Sequence, residues 1–297
     1  MGLIKGIWFS VFHSISAFCN AGFDLMGGTS GPTTSITSYT GNPLINIPIM
    51  LLIIIGGIGF FVWDDVKTHK LQHKYYHLQT KIVLTTTFCL IMFPALFLFL
   101  FEFSRDCWDE LSLQERFMAS LFQSVTTRTA GFNSVDTAAM KESSKFLTMV
   151  LMFIGGSSGS TAGGVKVTTA VVMLLSTIAM IRGTHGVNIL NRRLEEDTVK
   201  KASAIVTIDL SLAVAAALII MAVQPLKLTD TLFEVFSAIG TVGMTTGVTR
   251  ELVPVSRIVI ILLMYCGRLG SLTFTLVFAR SKPEPPVKQP VEKIVVG

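Results

Sequence analysis

Residues 125–132 read VTTRTAGF, a stretch that ends in a polar residue, a small one, a glycine and a bulky apolar one: Thr129, Ala130, Gly131, Phe132. Two other stretches share this pattern. Residues 16–23, SAFCNAGF, end in Asn20, Ala21, Gly22 and Phe23, and residues 237–244, SAIGTVGM, end in Thr241, Val242, Gly243 and Met244. The three glycines lie 109 and 112 residues apart, an agreement too close for chance. The chain is therefore read as three copies of one unit.

What surrounds the copies defines their setting. Of the 297 residues, 51% are hydrophobic and 14% charged, against about 25% charged in soluble domains. Apolar runs at 44–63, 82–101, 202–223 and 258–279 each approach the ~20 residues that cross a bilayer. This composition predicts an all-α membrane protein with several spans rather than two soluble domains. Lys67, Lys70, Lys74 and Lys81 in one loop, Arg182, Arg192, Arg193, Lys200 and Lys201 in a second, and the basic tail after 279 mark the cytoplasmic side. The net charge of +5 is read as topology, because the basic residues are dispersed; no nucleic-acid partner is expected. Four cysteines stand far apart, giving neither a disulfide framework nor a zinc pattern. His69, His73 and His77 fall at helical spacing and read as a solvated helix face, with metal binding as the weaker alternative.

Each copy follows a short, moderately apolar stretch (7–18, 116–125, 232–239) and precedes a span. The charge argument puts every glycine motif on the outer side. One copy alone reads better as a close-packing point between helices. Three copies in matched positions favour re-entrant segments, in which glycine permits left-handed backbone and a ring of carbonyls replaces an ion's hydration shell.

Between the second and third copies, residues 155–166 read GGSSGSTAGGVK. A phosphate loop needs G-x-x-x-x-G-K-[ST]; here Val165 separates Gly164 from Lys166 and Val167 replaces the hydroxyl. The 38 residues 144–181 would form a helix of about 57 Å, too long for a ~30 Å hydrocarbon core. The glycines mark where it breaks, and Ser157, Ser158, Ser160 and Thr161 offer hydroxyls to the freed backbone.

With the N-A-G-F, T-R-T-A-G-F and T-V-G-M segments and the glycine-rich loop, the whole chain resembles the Ktr/Trk/HKT superfamily of potassium transporters, nearest the Ktr-type membrane subunit. The resemblance implies repeated span–pore loop–span units around a pseudo-fourfold pore. Residues 1–63 would be the pore loop and inner span of the second unit, 80–181 the third, 202–279 the fourth, and 280–297 a cytoplasmic tail. The first unit would be missing. Filter segments would be Asn20, Ala21, Gly22, Phe23; Thr129, Ala130, Gly131, Phe132; and Thr241, Val242, Gly243, Met244. The gate would be Gly155, Gly156, Ser157, Ser158, Gly159, Ser160, Thr161, Ala162, Gly163 and Gly164, with Arg268 beside it. Lys166 either joins the gate or snorkels to the inner interface.

The resemblance further implies K⁺ as the transported ion, Na⁺ as a possible second one, no organic cofactor, a homodimer, and a cytoplasmic nucleotide-binding ring of RCK/KTN type docking on 64–81 and 182–201. The place would be a bacterial inner membrane, pore loops outside and C-terminus inside. Arg128 is expected to brace the segment 129–132 of the third unit, with Glu234 as a partner, and Asp209 to pair with another helix. An enzyme using the loop for a nucleotide or lipid headgroup, and a truncated non-conducting fragment, are the alternatives. The enzyme would need an acid–base residue in the loop, and 155–166 holds no His, Asp or Glu.

Overall fold

The computed structural model describes residues 2–30, 34–70, 72–184, 186–190 and 192–270. The chain runs through α1 (Leu3–Phe18), the single turn α2 (Gly27–Ser30), α3 (Pro43–Gly57), α4 (Phe60–His69), α5 (Leu78–Phe97), α6 (Leu113–Thr126), α7 (Glu142–Phe153), α8 (Val167–Ile181), α9 (Glu196–Val223), α10 (Leu228–Ile239) and α11 (Pro254–Leu269). A small antiparallel hairpin, β1 (Asn188–Ile189) with β2 (Arg192–Arg193), sits in the basic loop before α9.

Helix starts follow from local chemistry. Asn42 accepts the Leu44 N–H and Pro43 opens α3, while Ser112 and Glu115 form a reciprocal capping box on α6. Two helices, Leu78–Glu102 and Glu196–Val223, are long and apolar enough to cross a membrane. Only 33% and 28% of their most apolar windows are buried. Most of their apolar surface, including Phe88, Phe93, Val214 and Leu218, therefore faces outward. That is the pattern of helices solvated by lipid.

Two expectations need correcting, and a third is only partly seen. The run 44–63 is not one straight span: α3 and α4 meet at 95°, because Gly59 adopts φ 92°, a conformation open to glycine. Of the last run, 258–279, α11 covers the part up to Leu269; 271–279 and the tail 280–297 lie outside the described residues. The three histidines do not share one helix, since α4 ends at His69 and left-handed Lys70 turns the chain. His69 and His77 meet instead across that turn, ring centroids 6.3 Å apart. Among the described residues no cluster of three or more His, Cys, Asp or Glu is placed to hold a metal.

The elements pack as short helix against span: α1 on α3, α6 on α5, α10 on both α9 and α11, and α7 on α10. One core gathers Ala17, Met50, Ile53, Phe122, Ala130 and Phe132, and another joins Met149 and Met152 of α7 to Phe233, Val242 and Met244. These cores bring the C-terminal ends of α1, α6 and α10, and the glycine motifs after them, into one region.

Candidate functional site

The three motifs fold alike. Asn20, Thr129 and Thr241 are left-handed at φ 50°, 65° and 53°, and two residues later Gly22, Gly131 and Gly243 are left-handed at 68°, 86° and 88°. Non-glycine residues in that region are uncommon, so the same pair at the same register in each copy is a designed backbone. Among the described residues, no carbonyl oxygen of 20–22, 129–131 or 241–243 accepts a hydrogen bond. Asn20, Thr129, Ala130 and Val242 are buried, Gly22, Gly131 and Thr241 half-buried, and Ala21 and Gly243 exposed.

Glycine brings the segments into contact. A methyl on Gly22 would lie 2.0 Å from the Ala130 carbonyl oxygen, and one on Gly131 would lie 2.0 Å from that of Val242. Each segment thus abuts the next in the order first, second, third. At Gly243 the same methyl would meet nothing within 4 Å. Beside it opens a cleft of about 390 Å³ lined by Ala21, Phe23, Thr241, Gly243, Met264 and Arg268. The side chain of Asn20 donates to the Arg128 carbonyl at 3.2 Å, and hydroxyls hold the C-terminal ends of two segments: Ser16 Oγ donates to Phe23 O at 2.7 Å and Thr126 Oγ1 to Phe132 O at 2.7 Å.

The loop 155–164 lies against this arrangement on the side of the helix ends Phe18 and Gly240. Its neck is closed by the bonds Gly155 N to Val165 O, 2.9 Å, and Val167 N to Gly156 O, 3.0 Å. Beyond the neck it reaches the bent end of α3, where Ser157 N and Thr161 N donate to Gly57 O and Gly56 O, and Gly159 O accepts from Phe60 N. Thr161 Oγ1 also donates to Phe18 O at 3.0 Å, the last residue of α1. A methyl on Gly155 would come 3.2 Å from Thr129 Cγ2, and one on Gly163 would strike Thr241 Oγ1. The loop therefore touches all three copies. Within it Ser160 Oγ donates to Ser157 O at 2.6 Å and Ala162 N to Ser160 Oγ at 3.3 Å, while Ser158 Oγ lies 3.1 Å from Thr168 Oγ1. Gly159 and Gly164 take the left-handed turns at φ 71° and 65°. Two of the loop's N–H groups, those of Ser157 and Thr161, are spent on α3.

Among the charged residues, Arg268 Nη1 donates to Thr161 O at 2.6 Å and so clasps the loop. Lys166 turns its Nζ back to Ala162 O at 2.7 Å. Arg128 is buried with its Nη1 unpaired. It is not braced by Glu234, whose carboxylate takes the hydroxyls of Thr245 and Thr249. Asp209 is buried in α9.

Sequence reading missed a second glycine set. A methyl on Gly56 would lie 2.0 Å from Phe18 O, and one on Gly267 2.0 Å from Ile239 O. Phe18 and Ile239 occupy the same position of the repeat. The signal was present as GGIG at 56–59, GGSSG at 155–159 and GRLG at 267–270, once per copy.

Short helices ending in left-handed glycine segments, set among outward-facing apolar spans, define an integral membrane protein built around a cluster of free carbonyls. Comparison with known proteins then gives the family. Residues 2–289 match the family model described as TrkH, cation transport protein, and the chain belongs to that family. It is 38% identical to the potassium/sodium uptake protein NtpJ of Enterococcus hirae and 38% identical to the Ktr system potassium uptake protein B of Bacillus subtilis. Each match covers 100% of this chain and 65% of the relative, so the chain spans about two thirds of their length. The crystal structure of the potassium transporter TrkH from Vibrio parahaemolyticus matches over 91% of this chain and 58% of that one, with TM-score 0.72 at 20% identity.

Proposed function

We propose that this chain is the membrane pore part of a bacterial potassium uptake system, passing K⁺ inward between the segments 20–23, 129–132 and 241–244. The observation that carries the reading is the nine carbonyls of 20–22, 129–131 and 241–243, free of protein hydrogen bonds and borne on segments packed in sequence. A ring of such oxygens substitutes for an ion's hydration shell, and the C-terminal ends of α1, α6 and α10 add negative dipole character there. The order of contacts closes three sides and leaves the fourth open at Gly243, where a further pore loop completes a pseudo-fourfold filter. The names of the relatives support K⁺, and that of the Enterococcus protein supports Na⁺ as a second ion.

In this reading the loop 155–164, held by Arg268 and Lys166, is the gate. The turn at 64–81 and the basic loop before α9 dock a cytoplasmic nucleotide-binding ring, and two copies of the membrane subunit pair.

The test is Rb⁺ uptake in bacteria stripped of their own potassium uptake systems, with expression in the membrane checked by blotting. Uptake lost on Gly243→Asp supports the reading. Uptake unchanged by that substitution, or absent from well-expressed chain, overturns it for this chain.

A further inference from the structure

His13 stands on α1, about two turns before the segment 20–23, and is buried at 7% exposure. Its Nδ1 lies 2.6 Å from the Phe9 carbonyl oxygen, and its Nε2 lies 3.3 Å from the backbone N of Leu25. A carbonyl only accepts and an amide N–H only donates. The ring is therefore neutral, with its proton on Nδ1 and its Nε2 accepting from Leu25. The rings of Phe9, Phe12 and Phe132 enclose it at 5.9, 5.8 and 6.4 Å. Phe132 closes the neighbouring segment, so His13 touches two of the three. Leu25 follows Phe23 by two residues. The outer end of the first segment thus hangs on two side chains of its own helix, Ser16 through Phe23 O and His13 through Leu25 N.

We propose that His13 is a positioning residue for ion passage, whose neutral imidazole holds the outer end of the segment 20–23 through the Leu25 N–H and releases it when protonated. The proposal rests on the pore reading above. Protonation turns Nε2 from acceptor to donor, so two donors face each other and the Leu25 N–H loses its partner. The charged and titratable groups around the ring are few. Asp24 in the same segment accepts the Met26 N–H at 2.9 Å, Tyr39 lines the same cavity of about 310 Å³, and Lys5 stands 5.6 Å over the Phe9 ring. α3 and Phe132 contribute no ionisable group to that cavity's lining. A protonated ring therefore weakens uptake.

Two measurements test this. In the first, histidine side-chain nitrogen NMR of the detergent-solubilised chain, assigned with His13→Gln, reads the tautomer while hydrogen exchange reads the Leu25 amide. The expected result is an Nδ1–H ring in alkaline buffer and faster Leu25 exchange as that ring gains a proton. The His13→Gln amide, whose side-chain oxygen accepts from Leu25 in either state, stays slow. An Nε2–H ring, or Leu25 exchange indifferent to the state of His13, overturns the proposal. In the second, Rb⁺ uptake is compared in acid and alkaline media. Loss of one hydrogen bond predicts a fall of about threefold to tenfold in acid, absent in His13→Gln, with His13→Leu slow throughout. An acid fall that survives in His13→Gln overturns it. Absence of uptake by the unsubstituted chain removes the pore reading instead, and the NMR result still decides the bond.

Discussion

At the scale of single residues, the three motif glycines are alike in sequence and unlike in surroundings. Alanine at Gly131 meets the Val242 carbonyl at 2.0 Å and also bears the left-handed cost of about 1–2 kcal/mol. Alanine at Gly243 bears the backbone cost alone, because nothing lies within 4 Å. Gly131→Ala and Gly22→Ala are therefore expected to abolish a monodisperse peak in size-exclusion chromatography, whereas Gly243→Ala keeps it with a modestly lower melting temperature. Equal behaviour of all three would refute the packing order. Thr126 gives a second residue-level test. Thr126→Val strands the buried Phe132 carbonyl and is expected to cost about 1–3 kcal/mol, measured by thermal unfolding in detergent. Thr126→Ser keeps the donor and should unfold close to the parent.

Among the elements, the broken helix α7–α8 is stitched to the rest by few bonds. Thr161 joins the loop to α1 and α3, and Arg268 ties it to α11. Arg268→Gln is expected to quicken amide exchange across 155–165 and, in the proposed reading of that loop as a gate, to raise Rb⁺ flux several-fold because its clasp is loosened. Slower flux with unchanged exchange would mean the loop does not gate. α5 illustrates a different device. Pro94 interrupts its ladder, and the wider turn Leu98–Glu102 that follows carries Glu102 inward, where it is fully buried. There it accepts from Arg105 Nη1 at 3.0 Å, Trp108 Nε1 at 2.9 Å and the Lys141 N–H at 3.1 Å, tying the end of α5 to the start of α7. Glu102→Ala leaves those donors unmatched and is expected to cost about 3 kcal/mol, read as a lower melting temperature with α7 exchanging first.

For the whole molecule, orientation and the open side of the ring are the large questions. The lysines and arginines of 64–81 and 182–201 argue for an inner location of both loops, which puts the turn Asp106–Trp108 outside. Cys107 is exposed and serves as a natural probe. In a Cys19→Ser, Cys89→Ser background, a membrane-impermeant maleimide added to intact cells is expected to label Cys107 and to miss a cysteine placed at Arg192. The reverse pattern would invert the topology and the proposed direction of transport. The cleft beside Gly243 and Arg268 belongs to this scale too, because among the described residues none fills it, and in the proposed reading its occupant is a further pore loop.

Much of this was written in the chain itself. Membrane class, the register of the repeat, the family resemblance carried by Asn20–Gly22, Thr129–Gly131 and Thr241–Gly243, and the break within 144–181 follow from local chemistry: apolar length, glycine at fixed register, charge beside the spans. What depends on distant partners was settled only by packing. The 95° bend at Gly59 needed the loop carbonyl of Gly159, and the roles of Gly56 and Gly267 needed the carbonyls of Phe18 and Ile239. Lys166 turns back onto the loop because the Ala162 carbonyl offers an acceptor 2.7 Å away. Glu234 is satisfied by Thr245 and Thr249 before Arg128 can claim it. Pattern reports what a residue is capable of, whereas hydrogen bonds and close contacts are shared between segments a hundred residues apart, and tertiary structure decides which partner arrives.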